Sequence, residues 1–226
     1  MLTTLLVCVS CVGLLALVVQ RLCVAIALRR APVTTTATPG VSILKPLSGL
    51  DDALDENLAA FAALDYPHFE VLLGVKDRDD AAWALAQAWA VRDRRFRVVQ
   101  QRTSPGLNPK VNQLVTLENE AEFDLLLVSD SNARLPTGAL HELAALFDDA
   151  RVGGVTNPVS GLGHVSFGAV LDNLHLASGI GAAQLGAKTL VGKDLMVGKS
   201  MTLRRAALNE LGGFERYADV LAEDYV

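Results

Sequence analysis

The chain has 226 residues, of which 51% are hydrophobic, and it carries a formal net charge of −5 at neutral pH. This length is enough for one well-cored domain with an appendage. The acidic balance argues against nucleic acid as a partner, because nucleic-acid-binding domains present a basic face. We therefore exclude that class of function.

The hydrophobic excess lies at the N-terminus. Residues Leu2 to Leu28 are apolar apart from small hydroxyl residues and the pair Gln20 and Arg21, and this length crosses a bilayer as a helix. A cleaved secretory signal is the alternative, but no charged residue precedes the apolar run and no clear small-x-small cleavage site follows it. We predict a transmembrane anchor over residues 1–30.

The flanking charges and the cysteines predict where the rest of the chain lies. Arg21, Arg29 and Arg30 stand at or beyond the C-terminal end of the apolar run, so the positive-inside rule predicts that the rest of the chain lies in the cytoplasm. All three cysteines fall within the apolar run. The remaining chain has no thiol for a disulfide or a metal site, which agrees with a reducing compartment.

The residues that follow alternate between two kinds of pattern. Residues 31–40 are rich in Thr and Pro and are predicted to form a linker to a domain over residues 41–226. Apolar runs predict strands, and helical spacing predicts helices between them. The strands are Val41–Leu44, Phe69–Val75, Phe96–Gln100 and Leu125–Ser129; the helices contain Leu54 to Phe61, Trp83 to Trp89, residues 110–119, and Leu140 to Phe147. This alternation predicts an α/β fold, a mostly parallel sheet with helices on both faces.

Acidic residues follow the second predicted strand. Ligands of such sheets bind beyond the carboxyl ends of the strands. The segment there is Lys76-Asp77-Arg78-Asp79-Asp80. Asp79 or Asp80 is suited to cap the next helix, whereas a nucleotide site would use one of these acids to accept hydrogen bonds from uracil or ribose. Both interpretations remain open from these residues alone.

Two further acidic segments are candidates for chemistry. Asp130-Ser131-Asn132 follows the strand that ends at Ser129, and a carboxylate that faces a diphosphate needs a divalent cation such as Mg²⁺ or Mn²⁺ between them. The alternative is a turn acid that caps the next helix. Glu223 and Asp224 stand near the chain end, where neighbouring acids are usually solvated.

Glycines and a lysine suggest one more binding element. The loop Gly106-Leu107-Asn108-Pro109-Lys110-Val111-Asn112 leads into a helix, and a lysine at a helix N-terminus is suited to phosphate or sugar hydroxyls. Other glycine pairs, at residues 161–163 and 179–181, do not complete G-x-G-x-x-G and do not follow the opening strand. A dehydrogenase is therefore rejected.

Taken in chain order, six segments resemble the ceramide glucosyltransferase family, a branch of the family-2-type glycosyltransferases. The segments are VSILKPLSGLD from Val41, LDYPHFEVLLGVKDRDD from Leu64, GLNPKVNQL from Gly106, VSDSNAR from Val128, VGKSMTLRR from Val197 and LGGFERYADVLAEDY from Leu211. The resemblance implies a GT-A fold, a UDP-sugar donor, a divalent cation and inversion at the anomeric carbon. It further implies a membrane lipid acceptor, ceramide, and glucose as the sugar.

The resemblance also implies roles for individual residues. Asp80 would hold the uridine, and Asp130 would hold the metal and the diphosphate. Asp224 would take the proton from the lipid hydroxyl as that oxygen attacks the sugar. Lys110 and Asn112 are expected to contact the nucleotide sugar. A membrane anchor would keep such a site at the surface where the lipid head group is exposed.

Two departures from the family pattern leave alternatives open. The family continues past E-D-Y into a Q/R-x-x-R-W motif and further membrane-associated helices, whereas this sequence ends at Val226 and resembles a truncated member. A non-catalytic, membrane-anchored nucleotide-sugar-binding remnant is therefore one alternative. Hopanoid-pathway relatives resemble D-S-D where this chain has Asp130-Ser131-Asn132, so a hopanoid-type lipid glycosyltransferase is another. A third is a structural membrane protein whose acids only cap helices.

Overall fold

The computed structural model describes residues 1–29, 33–163, 166–193 and 195–220. The chain divides into two compact units, one of Met1–Pro32 with Pro158–Leu195 and one of Val33–Asn157 with Met196–Val226. Residues 158–195, which the sequence patterns place in the same domain as the sheet, thus group with the N-terminal segment. The second unit contains the sheet and is described first.

The elements alternate as the sequence predicts as far as residue 147. The helices are α1 (Leu2–Leu28), α2 (Leu54–Ala62), α3 (Ala82–Arg92), α4 (Pro109–Glu120), α5 (Ala139–Leu146), α6 (Phe167–His175), α7 (Gly181–Val191) and α8 (Arg205–Glu210). The strands are β1 (Val41–Pro46), β2 (Phe69–Val75), β3 (Phe96–Gln100), β4 (Leu125–Ser129), β5 (Gly154–Thr156) and β6 (Ser200–Arg204).

The sheet has six strands in the order β3-β2-β1-β4-β6-β5. Strands β1 to β4 are mutually parallel, β6 runs antiparallel to β4, and β5 runs antiparallel to β6. The predicted α/β class with a mostly parallel sheet is therefore confirmed. The two strands that break the parallel pattern lie beyond the last predicted element.

Both faces of the sheet are covered, which explains why its strands read as continuous apolar runs. Successive strand residues point to opposite faces. Ile43 and Val71 belong to the core that includes residues of α2, α3 and α5. Their neighbours Leu44 and Leu72 belong to the core that includes residues of α4 and α8. All four side chains are fully buried, so the two cores hold the strand ends in fixed positions.

The strand ends that matter for function meet at one edge of this sheet. Pro46 of β1 pairs with Gly74 of β2, so these parallel strands end side by side. Strand β6 enters the sheet at the same edge, because it is antiparallel to β4 and its first residue, Ser200, pairs with Ser129. Residues just after β4 therefore lie beside residues just before β6.

The other unit contains α1 and the helices between residues 166 and 191. Among the described helices, α1 alone is long and apolar enough to cross a membrane, by length and composition. Helix α7 packs against α1. The Gln20 side chain donates a hydrogen bond from Nε2 to the backbone oxygen of Ser178 at 3.0 Å. Ser178 lies in a π-helical turn, Leu176–Ile180, between α6 and α7. The polar residue within the apolar helix thus has a partner.

Candidate functional site

The carboxylate of Asp130 lies between two lysine ammonium groups. Lys110 Nζ is 3.0 Å from Oδ1 of Asp130, and Lys199 Nζ is 3.8 Å from Oδ2. The three side chains are exposed by 25%, 28% and 38% for Asp130, Lys110 and Lys199, respectively. Partial burial strengthens these charge interactions relative to a fully solvated surface, while the remaining exposure leaves the group open to a ligand. Among the described residues, the Asp130 carboxylate thus has two lysine ammonium groups beside it.

Three different elements supply this cluster. Asp130 directly follows β4, and its backbone N–H donates to the Lys199 carbonyl at 3.3 Å just before β6. Lys110 lies in the first turn of α4, which begins at Pro109. The Asn108 side chain caps this helix by accepting from the backbone N–H groups of Lys110 and Val111 at 3.1 and 3.3 Å. The cap fixes where the Lys110 side chain starts.

The buried side chain of Lys45 holds the turn that carries Asp130. Its Nζ donates to the backbone oxygen of Asp130 at 2.7 Å, to Ser129 Oγ at 3.3 Å and to the backbone oxygen of Ala133 at 3.4 Å. The side chain is fully buried, and Nζ lies 4.1 Å from the centre of the Phe61 ring. Burial lowers the pKa of Lys45 to about 7, although the negative charge of Asp130 opposes that shift.

The loop after β1 connects two of the predicted acidic sites. The Gly49 N–H donates to Asp80 Oδ1 at 3.0 Å, and the hydroxyl of Ser131 is hydrogen-bonded to the Asp51 carboxylate. Asp80 follows β2, whereas Ser131 follows Asp130. The structure therefore brings the Asp80 and Asp130 segments against a common loop at the carboxyl edge of the parallel strands.

Asp80 also performs the capping task that its sequence position suggests. Its Oδ1 accepts a second hydrogen bond, from the Ala82 N–H at 2.8 Å, at the start of α3. Within the described part of the chain, no group donates to its other carboxylate oxygen, Oδ2. Asp80 is only half-buried. One oxygen is thus structural, while the second is available to a ligand such as a nucleoside.

The two hydrogen bonds that Asp80 Oδ1 accepts lead to a stability prediction. Asp80→Ala should lower the free energy of unfolding by roughly 1–2 kcal/mol, because the N–H groups of Gly49 and Ala82 lose their acceptor. Asp80→Asn should stay within about 0.5 kcal/mol of the wild type, because its amide oxygen still accepts. Chemical unfolding in detergent measures both, with Asp79→Ala, at an exposed neighbour, as control. Equal stability of Asp80→Ala and the control would contradict the capping role.

Asn112 supports the preceding loop through both ends of its side-chain amide. Its Nδ2 donates to the Gly106 carbonyl at 2.8 Å, and its Oδ1 accepts from the Gly106 N–H at 3.1 Å. The side chain is buried. These bonds make Asn112 a support for the loop, and its direct contact with a nucleotide sugar stays a prediction.

That loop is also bonded to the chain near its C-terminus. The backbone N–H of Asn108 donates to the Ala218 carbonyl at 2.7 Å, and its Nδ2 donates to the Val220 carbonyl at 2.7 Å. A Cβ on Gly106 would come within 2.5 Å of the Ala218 backbone, so a glycine is needed there. The predicted base, Asp224, lies outside the described residues. Since it follows Val220 by four residues, the extended chain limits their separation to about 14 Å.

Two lysines of the site carry no role in the sequence-based prediction. Lys199 precedes an antiparallel strand, so a search restricted to the carboxyl ends of predicted strands passes over it. Lys45 lies inside β1, where a charged residue at the end of an apolar run is an available indication of a buried, bonded group. Both belong to segments that carry the family resemblance.

The carboxylates present fit a divalent cation that binds together with its anionic ligand. Among the described residues, no three His, Cys, Asp or Glu side chains gather into a preformed metal site. Mg²⁺ is commonly held by one or two carboxylates, with substrate phosphates and water completing its shell. Asp130 supplies one partly exposed carboxylate at the carboxyl edge of the parallel strands. One such carboxylate is enough for a Mg²⁺ ion whose other ligands are phosphates and water.

Curated relatives of the chain are ceramide glucosyltransferases. Ceramide glucosyltransferase 1 of Caenorhabditis elegans is 30% identical over 194 residues, which are 83% of this chain and 41% of that protein. Ceramide glucosyltransferase of Komagataella phaffii is 31% identical over 110 residues, which are 45% of this chain and 21% of that protein. The chain thus spans about two fifths of the length of the nematode relative.

Solved structures share the fold at low sequence identity. The mannosyltransferase PcManGT of Pyrobaculum calidifontis, in complex with GDP-Man and Mn²⁺, is 19% identical with a TM-score of 0.62, covering 93% of this chain and 56% of that one. S. aureus TarS 1-349 in complex with UDP is 18% identical with a TM-score of 0.55, covering 82% and 52%. The model of glycosyl transferase family 21 matches residues 5–226. The chain therefore belongs to glycosyl transferase family 21.

Proposed function

We propose that the protein transfers glucose from UDP-glucose to ceramide at a membrane surface, with inversion at the anomeric carbon. The observation that carries this proposal is the Asp130 carboxylate at the carboxyl edge of the parallel strands, flanked by Lys110 and Lys199. Ligands of open α/β sheets bind at this edge. Membership of the family and the ceramide glucosyltransferase relatives support the sugar and the lipid.

The donor is held by residues from separate elements. Asp80 accepts hydrogen bonds from the uridine through Oδ2, while its Oδ1 keeps the start of α3 in place. Asp130 and Lys110 hold the diphosphate end. A divalent cation, Mg²⁺ or Mn²⁺, bound at Asp130 supplies positive charge that offsets the charge developing on the leaving diphosphate. Asn112 supports the Gly106 loop beside this end.

The proton of the acceptor hydroxyl passes to Asp224. A carboxylate of ordinary basicity works as a base only if it lies within direct hydrogen-bond reach of the hydroxyl as the oxygen attacks C1. Support for this placement comes from the bond that ties Val220 to Asn108, two residues before Lys110. The segment that leads to Asp224 therefore starts next to the helix that carries a donor-binding lysine.

The membrane completes the proposal. Helix α1 spans the bilayer and the sheet-bearing unit lies on the cytoplasmic side, where the lipid head group is exposed to it. Such an anchor raises the effective concentration of the enzyme at the acceptor. The lipid substrate is thus met at the interface rather than extracted into water.

The direct test is UDP release by the protein reconstituted in liposomes with Mg²⁺. We expect release that requires both UDP-glucose and ceramide, and a glucosylated lipid as the product. UDP-galactose and a hopanoid acceptor serve as comparison substrates. Transfer to the hopanoid alone would favour the hopanoid-type alternative. Metal-dependent UDP binding without transfer to any lipid would favour the non-catalytic remnant.

A further inference from the structure

We propose that Lys199 and Lys110 form a pair of cationic ligands that bind the donor diphosphate directly, on either side of Asp130. This inference deepens the proposed function and rests on it. It assigns a binding role to Lys199, and it specifies how a site with one carboxylate attracts a strongly anionic ligand.

The first argument is the charge of the cluster. A single carboxylate repels a diphosphate, and the chain as a whole has a net charge of −5. Among the described residues, two ammonium groups lie within 4 Å of the Asp130 carboxylate and offset its charge. Buried Lys45 stands behind the same turn, with Nζ 2.7 Å from the Asp130 carbonyl. The lysines at this edge therefore attract an anion, although the chain as a whole has a negative net charge.

The second argument is the geometry of the two contacts. Lys199 Nζ is 3.8 Å from Asp130 Oδ2, which is longer than a hydrogen bond, and the side chain is 38% exposed. A lysine of this kind has a flexible stem and an ammonium group that reorients at low cost. Phosphate oxygens that enter between the lysines make charge-assisted hydrogen bonds that replace a loose ion pair. Replacement of the loose ion pair by these hydrogen bonds favours binding of the nucleotide.

The third argument concerns the position of Lys110. It lies in the first turn of α4, where the helix dipole adds positive potential. Lys199 approaches from the other side, because β6 is antiparallel and begins beside the end of β4. The two ammonium groups lie near different oxygens of the Asp130 carboxylate, Lys110 near Oδ1 and Lys199 near Oδ2.

Calorimetry on the detergent-solubilised protein tests the pair, with uridine, UMP and UDP as probes. Lys199→Met should weaken UDP binding by about tenfold or more, since charge-assisted hydrogen bonds contribute that much. Uridine binding should change by less than about twofold, because uridine has no phosphate. Lys199→Arg should restore most of the UDP affinity. Lys193→Met, at an exposed lysine of the other unit, is the matched control.

The measurements are made with Mg²⁺ present throughout, the condition in which the proposed site binds UDP. Equal UDP affinity in Lys199→Met and the wild type would overturn the pairing while leaving the proposed function intact. A loss that extends equally to uridine would also overturn it, because Lys199 would then act through the fold. Absence of UDP binding by the wild type would sink the proposed function as well.

Discussion

Asp224→Asn is expected to lower kcat for sugar transfer by about 10²- to 10⁴-fold, the usual contribution of a positioned general base. The amide cannot take the proton from the attacking hydroxyl, although its size and hydrogen-bonding oxygen are nearly unchanged. UDP affinity should stay within about twofold, because the role proposed for Asp224 is to take a proton from the acceptor and not to bind the nucleotide. Ceramide-dependent UDP release gives the rate, and calorimetry gives the affinity.

The matched control is Asp219→Asn, five residues upstream in the same segment. Asp219 is exposed, and its Oδ1 accepts from the Leu107 N–H at 3.0 Å, a bond that the amide oxygen of asparagine keeps. This variant should retain nearly full activity. If both variants lose activity to the same extent, the segment acts through its structure, and Asp224 is not the base.

Lys45→Met is the second change with a large expected effect. Methionine keeps an unbranched apolar side chain in the buried position but removes the ammonium group, which lies over the Phe61 ring and donates to Ser129 Oγ and to the carbonyls of Asp130 and Ala133. The turn that carries the Asp130 carboxylate then loses these three hydrogen bonds. Because a displacement of about 1 Å at a catalytic group costs on the order of 100-fold in rate, we expect a comparable loss of transfer. Lys76→Met, at an exposed lysine after β2, is the control.

The same variant has a pH signature in stability. Burial lowers the pKa of Lys45 to about 7 in the folded chain, from the ordinary lysine value of 10.5. Between these two values the unfolded chain binds more protons, so the free energy of unfolding of the wild type should rise with pH relative to Lys45→Met. The difference should be steepest, at roughly 1.4 kcal/mol per pH unit, between pH 7 and 10. Unfolding curves in urea at three pH values measure it, and a flat or falling difference would contradict the assignment.

Much of the fold could be predicted because the strands β1 to β4 are buried on both faces. Runs such as Phe69–Val75 and Leu125–Ser129 consist mostly of apolar residues, as expected for strands buried on both faces. Their predicted bounds equal the observed ones. Strand β5 has only three residues, and β6 mixes Ser200 and Thr202 with apolar neighbours. Pairing with β4, not local composition, makes β6 a strand, and that information lies far away in the sequence.

The candidate site, like the fold, is only partly predictable from the sequence. The position of Asp80 and Asp130 at the carboxyl edge of the parallel strands could be predicted, because each follows an apolar run that ends there. Lys199 could not be found by that rule, because the edge it occupies is the start of an antiparallel strand. The support that Asn112 gives to Gly106 is likewise invisible in the sequence, since it depends on how the loop folds back onto the helix.

The bonds between residues 106–108 and residues 218–220 have a kinetic consequence. The loop before the proposed donor-binding lysine is hydrogen-bonded to residues 218–220, which precede the proposed base in the chain. A nucleotide held by Lys110, as proposed, should also stabilise residues 218–220, which are hydrogen-bonded to the loop before that lysine. Substrates are then expected to add in a fixed sequence, UDP-sugar first and lipid second, so that the base is aligned only when a sugar is present to be attacked.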